Sequence, residues 1–331
     1  MKLYAINLQL FANELQTTLL EGLSAEMKTF YDMTLIDEAT SNLVHDQFGQ
    51  KRPIPKNGGK TIEFRKFAPL AKATTPLTEG VTPDGKSLAV STITATVNQY
   101  GDYITQSDVL ELTSLDNTIL EATKLLGRQA GLTLDTVVRD VLNSGTNVTY
   151  CPKIGTNGAE TAVTSREALD TTSQLTVKVI QQVVAKLRGQ NAPTIGGKYV
   201  AIIHPYVAYD LMRDPEWIEA HKYTNPTNLY EGEIGEIAGV RFVETTEAKV
   251  YDGGVFATIF LGEGAYGVTE ITGGGLQTIV KQKGSAGTAD PLDQRSSVGW
   301  KAIKTAEILI PNYLVRVESK SAMFSATTNA N

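Results

Sequence analysis

The longest helical periodicity in this chain constrains its fold more than any other feature. From Asp116 to Leu142 the apolar residues Ile119, Ala122, Leu126, Ala130, Leu134, Val137 and Val141 recur every three or four positions, so one face of one helix carries them all. Ser114 or Asp116 can cap its start, and Gly145 can end it. At about 1.5 Å per residue such a helix is ~40 Å long, enough to brace an extended body. Gly127 and Gly131 sit four apart near its middle, each costing ~1 kcal/mol relative to alanine. Two readings account for them equally: a second backbone crosses closely there, or the pair is a flex point where the helix bends.

Around this helix the chain alternates in character. The opening, Met1 to Ala12, has a Lys before apolar residues, but Asn7 and Gln9 interrupt the run and no cleavage site comes after it, so it reads as an arm held by a partner. Glu21 to Phe48 carries Leu23, Met27, Phe30 or Tyr31, Leu35, Ala39 and Leu43 at helical spacing. Thr61 to Phe67 and Leu88 to Val97 read as strands of a hairpin whose tip spans about twenty residues, too long to form its own core. Such a hairpin is expected to project onto a neighbouring subunit. Beyond the long helix come a helical run Ser173 to Leu187, a strand Lys198 to Ile203, a short helix Pro205 to Met212, and strands near Val240 to Val243 and Val255 to Leu261. Residues 146–270 therefore read as a second, inserted α/β domain, with Leu276 to Lys281 and Val298 to Val317 returning to complete the first domain's sheet.

Composition removes several function classes. The 331 residues suit one large or two ordinary domains of about 150 residues each. No apolar stretch approaches the roughly 20 residues of a bilayer-crossing helix, so no membrane partner is expected. One cysteine, Cys151, cannot form an internal disulfide, and three scattered histidines add too little for a zinc site. Acidic residues outnumber basic ones by 36 to 30, leaving little counterion release to drive sequence-specific DNA binding.

Two glycine motifs invite a nucleotide. Gly80 to Ser87 spells G-x-x-x-x-G-K-S, but β-branched residues at strand spacing come next where a phosphate cradle needs a helix, and Pro83 removes an amide donor. Gly262 to Gly267 spells G-x-G-x-x-G, but Val268 to Thr272 and then Gly273 to Gly275 cannot sustain a helix, so a turn between strands is expected. No G-x-S-x-G, H-E-x-x-H or calcium loop occurs. His204 beside Pro205 reads as a ring bonded to a turn, Cys151 as a small buried group, and Glu231, Glu233 and Glu236 as a solvated loop. The sequon Asn147-Val148-Thr149 stays idle without a secretory signal. No catalytic, cofactor-binding or metal residues are assigned.

The order arm, projecting hairpin, long helix, inserted α/β domain and returning strands resembles the HK97-like major capsid fold of tailed bacteriophages. Local sequence is similar to the N4-gp56-like family of major capsid proteins in Gly22 to Tyr31, Pro76 to Gly80, Gln99 to Tyr103, Trp217 to Tyr223, Gly232 to Phe242, and Asp290 to Arg295 with Gly299-Trp300-Lys301. The resemblance implies an α+β fold with an N-terminal arm and helix (1–50), an E-loop hairpin (51–100), a peripheral domain with a spine helix (101–145 and 271–331), and an axial domain (146–270). It implies a shell subunit, not an enzyme and without a cofactor, forming pentamers and hexamers around double-stranded DNA in a virion made in the bacterial cytoplasm. Portal, scaffolding or decoration proteins are the implied partners. Within the hairpin, Arg65, Lys66, Lys72, Glu79, Asp84 and Lys86 are the candidate intersubunit contacts; on the spine, Gly127 and Gly131 are the candidate flex point. Some members of the fold cross-link a hairpin lysine, but no partner asparagine can be matched. About twenty residues precede the first predicted helix, so no protease-removed scaffolding segment is expected. The alternatives are another virion component such as a tail tube, and a nucleotide-binding enzyme.

Overall fold

Two sheets share the long helix as their common support. The computed structural model describes residues 33–39, 43–67, 70, 72–82, 85–88, 90–114, 118–155, 157–222, 235–285, 290–323 and 331. A helical segment at 33–39 (α1) leads to β1 (Gln50–Lys51) and to the hairpin β2 (Thr61–Phe67) and β3 (Val90–Thr96), then β4 (Asn98–Ser107) and a short helix α2 (Asp108–Thr113). The long helix is α3 (Thr118–Asn143), succeeded by β5 (Val148–Tyr150), β6 (Lys153–Ile154) and β7 (Glu160–Thr161). Next come α4 (Val177–Gly189), β8 (Tyr199–Ile203), α5 (Pro205–Met212) and α6 (Pro215–Lys222). The chain continues through β9 (Glu236–Ile237), β10 (Val240–Glu244), β11 (Val250–Tyr251), β12 (Val255–Leu261), β13 (Tyr266–Glu270), β14 (Gln277–Lys281), β15 (Arg295–Ile308) and β16 (Leu314–Lys320). Among the described residues no helix is long and apolar enough to cross a membrane.

The first sheet is built on β15, which pairs along one side with β4 and along the other with β13 and then β14, while β1 extends the β13 side. Alternation along β15 turns Val298, Trp300, Ala302, Lys304 and Ala306 to one buried face. Val298, Trp300 and Ala302 meet Leu126, Ala130 and Leu134 of α3. The second sheet runs β5-β16-β12-β8-β10-β9, with β11 against β12. Its central strands β8 and β12 are buried throughout, β8 being free of charged or amide side chains and β12 apolar but for the fully buried Thr258. Phe256, Phe260, Ala201 and Ile203 face α4 and α5, whereas Ile202, Ile259 and Leu261 face Val138 and Leu142 at the end of α3.

Four expectations change. The helix read from Glu21 to Phe48 has ended by Leu43, because the N–H groups of Val44 and His45 donate to Asp135 Oδ1 at 2.9 and 2.7 Å instead of continuing a helical ladder. In the last turns of α3 the buried apolar residues are Val138 and Leu142, since the apolar stripe steps by four from Leu126 and leaves Val137 and Val141 partly exposed. Ser114 closes α2, donating its N–H to Leu110 O, instead of capping α3; Asp116 lies outside the described residues. Val298 to Val317 divides between the sheets: β15 joins the first, and β16 pairs with β12 and β5 in the second. The turn Pro311–Tyr313 makes the crossing, and no sequence pattern distinguishes the two destinations.

Candidate functional site

The hairpin is anchored by very few side chains. β2 and β3 pair from Thr61 opposite Thr96 to Phe67 opposite Val90, and Phe64, Ala95 and Leu309 form their small core. Phe64 is seated on Gly267, where a Cβ would lie 2.8 Å from the Phe64 ring. The last glycine of the G-x-G-x-x-G run is thus a socket for an aromatic ring, placed within β13 just after the turn that carries the chain from β12 in one sheet to β13 in the other. Outward from Phe64 large apolar side chains stand in solvent, with Leu77 at 77% exposure and Leu70, Val81 and Leu88 near it in sequence. Burying such side chains stabilises by about 1.5–3 kcal/mol each, so the hairpin gains from a partner surface.

The structure spreads the candidate contacts along this hairpin instead of gathering them. Arg65 is exposed on β2, while Lys72, Glu79 and Lys86 are exposed along the tip. The Lys66 backbone pairs with Ser91; its side chain, and Asp84 and Pro83 altogether, lie outside the described residues. No helix succeeds the Gly80 to Ser87 motif: the next element is β3.

The spine glycines lie beneath α1. A Cβ on Gly127 would stand 2.8 Å from Leu35 O, and one on Gly131 would stand 2.5 Å from Ala39 O. Leu35 and Ala39 are fully buried, and Arg128 holds Glu38 at 3.0 Å across the same crossing. One turn further, buried Asp135 accepts from Val44 N, His45 N and His45 Nδ1, the last at 2.7 Å. Tyr266 donates its hydroxyl to His45 O; burial, reinforced by nearby Asp46, pushes that phenol up and keeps it a donor. Lys304 pairs with Asp46 at 3.0 Å, tying the same loop to β15. Residues 33–39 and 43–46 thus form a strap across the spine. Sequence reasoning passes over His45 and Asp135 because they are 90 positions apart.

At its far end the spine is fastened by charge. Fully buried Glu318 on β16 accepts from Arg166 at 2.7 Å and from Arg316 Nε at 3.0 Å, and Arg316 also donates to the Asn143 carbonyl. The Arg166 guanidinium lies 3.5 Å from the Tyr251 ring centre. Arg139, nearly buried, donates to the Glu247 carbonyl at 3.1 Å.

The remaining candidate side chains are each held by the fold. His204 caps α5, its Nδ1 accepting from Tyr206 N at 3.1 Å, and burial lowers its pKa to about 4. Cys151 is fully buried in the core of the second sheet, which pushes its thiol up. Glu236 pairs with Lys198 on the surface, and Glu231 and Glu233 lie outside the described residues. Among the described residues no cluster of three or more His, Cys, Asp or Glu could hold a metal.

A long helix bridging two sheets, strapped by a preceding segment and flanked by a projecting hairpin, defines a structural subunit of the HK97-like shell type. The chain belongs to the phage capsid protein family, whose model matches residues 3–258. It is a virion structural protein. Among solved structures it is similar to the capsid of cyanophage P-SCSP1u, at 14% identity over 85% of this chain and 89% of that one, with a TM-score of 0.66. The cyanophage Pam1 capsid gives 13% identity over 87% and 93%, with a TM-score of 0.65. The capsid of Ralstonia phage GP4 gives 13% over 86% and 90%, with a TM-score of 0.63. At these identities the likeness is one of fold. No curated protein matches the chain.

Proposed function

We propose that this is the major capsid protein of an N4-gp56-like tailed phage, assembling with itself into the pentamers and hexamers of an icosahedral head around double-stranded DNA. The observation that carries this reading is the hairpin: a two-stranded element with a three-residue buried anchor and a row of exposed leucines and valines. In this reading the N-terminal region (1–50), E-loop (51–100), peripheral domain (101–145 and 271–331) and axial domain (146–270) are the working parts, with β16 lent to the axial sheet. Arg65, Lys66, Lys72, Glu79, Asp84 and Lys86 contact neighbours, and Gly127 with Gly131 lets the spine adjust between shell states. Synthesis in the bacterial cytoplasm, a portal, a scaffolding or decoration protein, and non-specific enclosure of DNA by a chain of net charge -6 complete the reading. No catalytic step is assigned.

The test is assembly itself. Expressed alone and with its phage's scaffolding protein, the chain should give closed shells by light scattering and negative-stain microscopy. Stacked rings would point to a tail tube. A particle-free monomer under all conditions, or saturable ATP or NAD binding by calorimetry, would overturn the shell reading.

A further inference from the structure

The two ends of β15 carry complementary surfaces that one copy cannot bring together. At the Arg295 end, α2 succeeds β4 and buries none of its side chains. Its Val109, Leu110 and Leu112 are 62, 46 and 81% exposed, and Asp108 N donates to Gln294 O at 2.9 Å, setting Leu292 (75% exposed) and Asp293 beside it. Glu111 holds Lys283 at 2.8 Å yet keeps 40% of its side chain exposed, open to a second cation. This is an acidic, apolar knob.

At the Ile308 end, where the chain runs into Leu309, a cavity of about 170 Å³ is lined by Phe64, Ile93, Leu309, Arg52 and Arg65. Arg52 lies 5.9 Å over the Phe64 ring, and among the described residues neither arginine forms an ion pair. This is a basic, apolar socket with room for a large aliphatic side chain. The 14 residues of β15 separate the two by about 40 Å at ~3.3 Å per residue.

We propose that the α2 knob of one copy docks in the Arg52/Arg65 socket of a second copy, with Leu112 entering the cavity and Glu111 meeting Arg65. Like-to-like contact is disfavoured on both sides, since two knobs would oppose carboxylates and two sockets would oppose guanidinium groups. The contact is therefore head-to-tail, the type that closes into rings when the rotation between copies permits. It rests on the shell reading and gives that reading a defined contact between copies.

Charge reversal with rescue tests it. Arg65→Glu is an exposed substitution that leaves the isolated subunit's melting temperature unchanged; Glu111→Arg gives up the surface pair with Lys283 and lowers that temperature by no more than a few degrees, so its shell yield is read on the folded subunit. Each alone should lower shell yield, read by light scattering and particle counts, at least tenfold; both in one chain should restore most of it. Leu112→Gln should lower yield without rescue by either charge change. Single variants assembling like the natural chain, or a double variant no better than the poorer single, would overturn the contact while leaving the shell reading intact. A natural chain that never assembles overturns the shell reading and this contact with it.

Discussion

Replacing Gly131 by alanine sets two calculable effects against each other. In an isolated helix the change stabilises by ~1 kcal/mol, because glycine gives up more backbone freedom. Here the new Cβ would stand 2.5 Å from Ala39 O and 3.1 Å from Ala39 C and Cα. A carbon against a carbonyl oxygen settles near ~3.3 Å, so the strap must withdraw by about 0.8 Å. It has little freedom to do so: Leu35 and Ala39 are fully buried, and Asp135 holds Val44 and His45 just beyond. Overpacking against backbone costs about 1–3 kcal/mol, and this contact belongs at the upper end, so the net effect is a loss of ~2 kcal/mol. Gly127→Ala meets Leu35 O at 2.8 Å and Glu38 Cβ at 3.0 Å, a shallower clash with a net loss of about 1 kcal/mol. The two losses share one strap and should not add fully. Urea midpoints of the unassembled subunit give the sign, and hydrogen exchange at residues 33–39 shows whether the strap loosens. A Gly131→Ala subunit more stable than the natural one would refute the close-approach argument. In shells the double alanine variant separates the two roles: a packing role prevents the precursor shell, whereas a bending role leaves assembly intact and hinders expansion. Normal assembly and expansion would sink both.

Buried polar groups lead to two more outcomes. Asp135→Ala leaves the His45 ring and two backbone N–H groups without their acceptor, so it should cost about 3–5 kcal/mol, checked by urea denaturation; a loss below ~1 kcal/mol would show that the strap does not depend on this carboxylate. His204, held near a pKa of about 4 by burial against an ordinary 6.5, binds a proton in the unfolded chain before it does in the folded one; its contribution is therefore full above pH 6.5 and lost as pH falls towards 4. His204→Asn, which can still cap α5, should flatten the urea midpoint between pH 4 and 6.5, and an unchanged slope would assign the dependence to other groups.

Local rules acting over a few residues are sufficient for much of this molecule. Four-residue stepping places α3 within two residues of its start and one of its end, β-branched runs place β2 and β12, and Pro205 after His204 places α5. The same locality dismisses both nucleotide motifs, because each lacks the helix that must come after it. The ordering of elements carries the resemblance to phage capsid proteins without any single decisive residue. α6, by contrast, goes unread although Asp214-Pro215-Glu216 spells a cap, a first-turn proline and an acidic first turn, with Asp214 Oδ1 accepting from Glu216 N at 3.0 Å, and β4 is legible only as a family-like stretch.

Tertiary structure decides whatever depends on two distant segments meeting. Nothing in the sequence around Gly127 and Gly131 reveals the strap backbone that lies 2.5 to 2.8 Å from where their side chains would begin. Gly267 looks like part of a phosphate loop, yet it clears space for Phe64, some two hundred positions before it in the chain. The paired Asp135 and His45, the separation of β15 from β16 into different sheets, and the opposed charges at the two ends of β15 have no local signature either. Periodicity reports which face of an element is apolar; it carries no information about which partner covers that face, because burial energy is non-directional and many partners would satisfy it. Only the folded chain selects one.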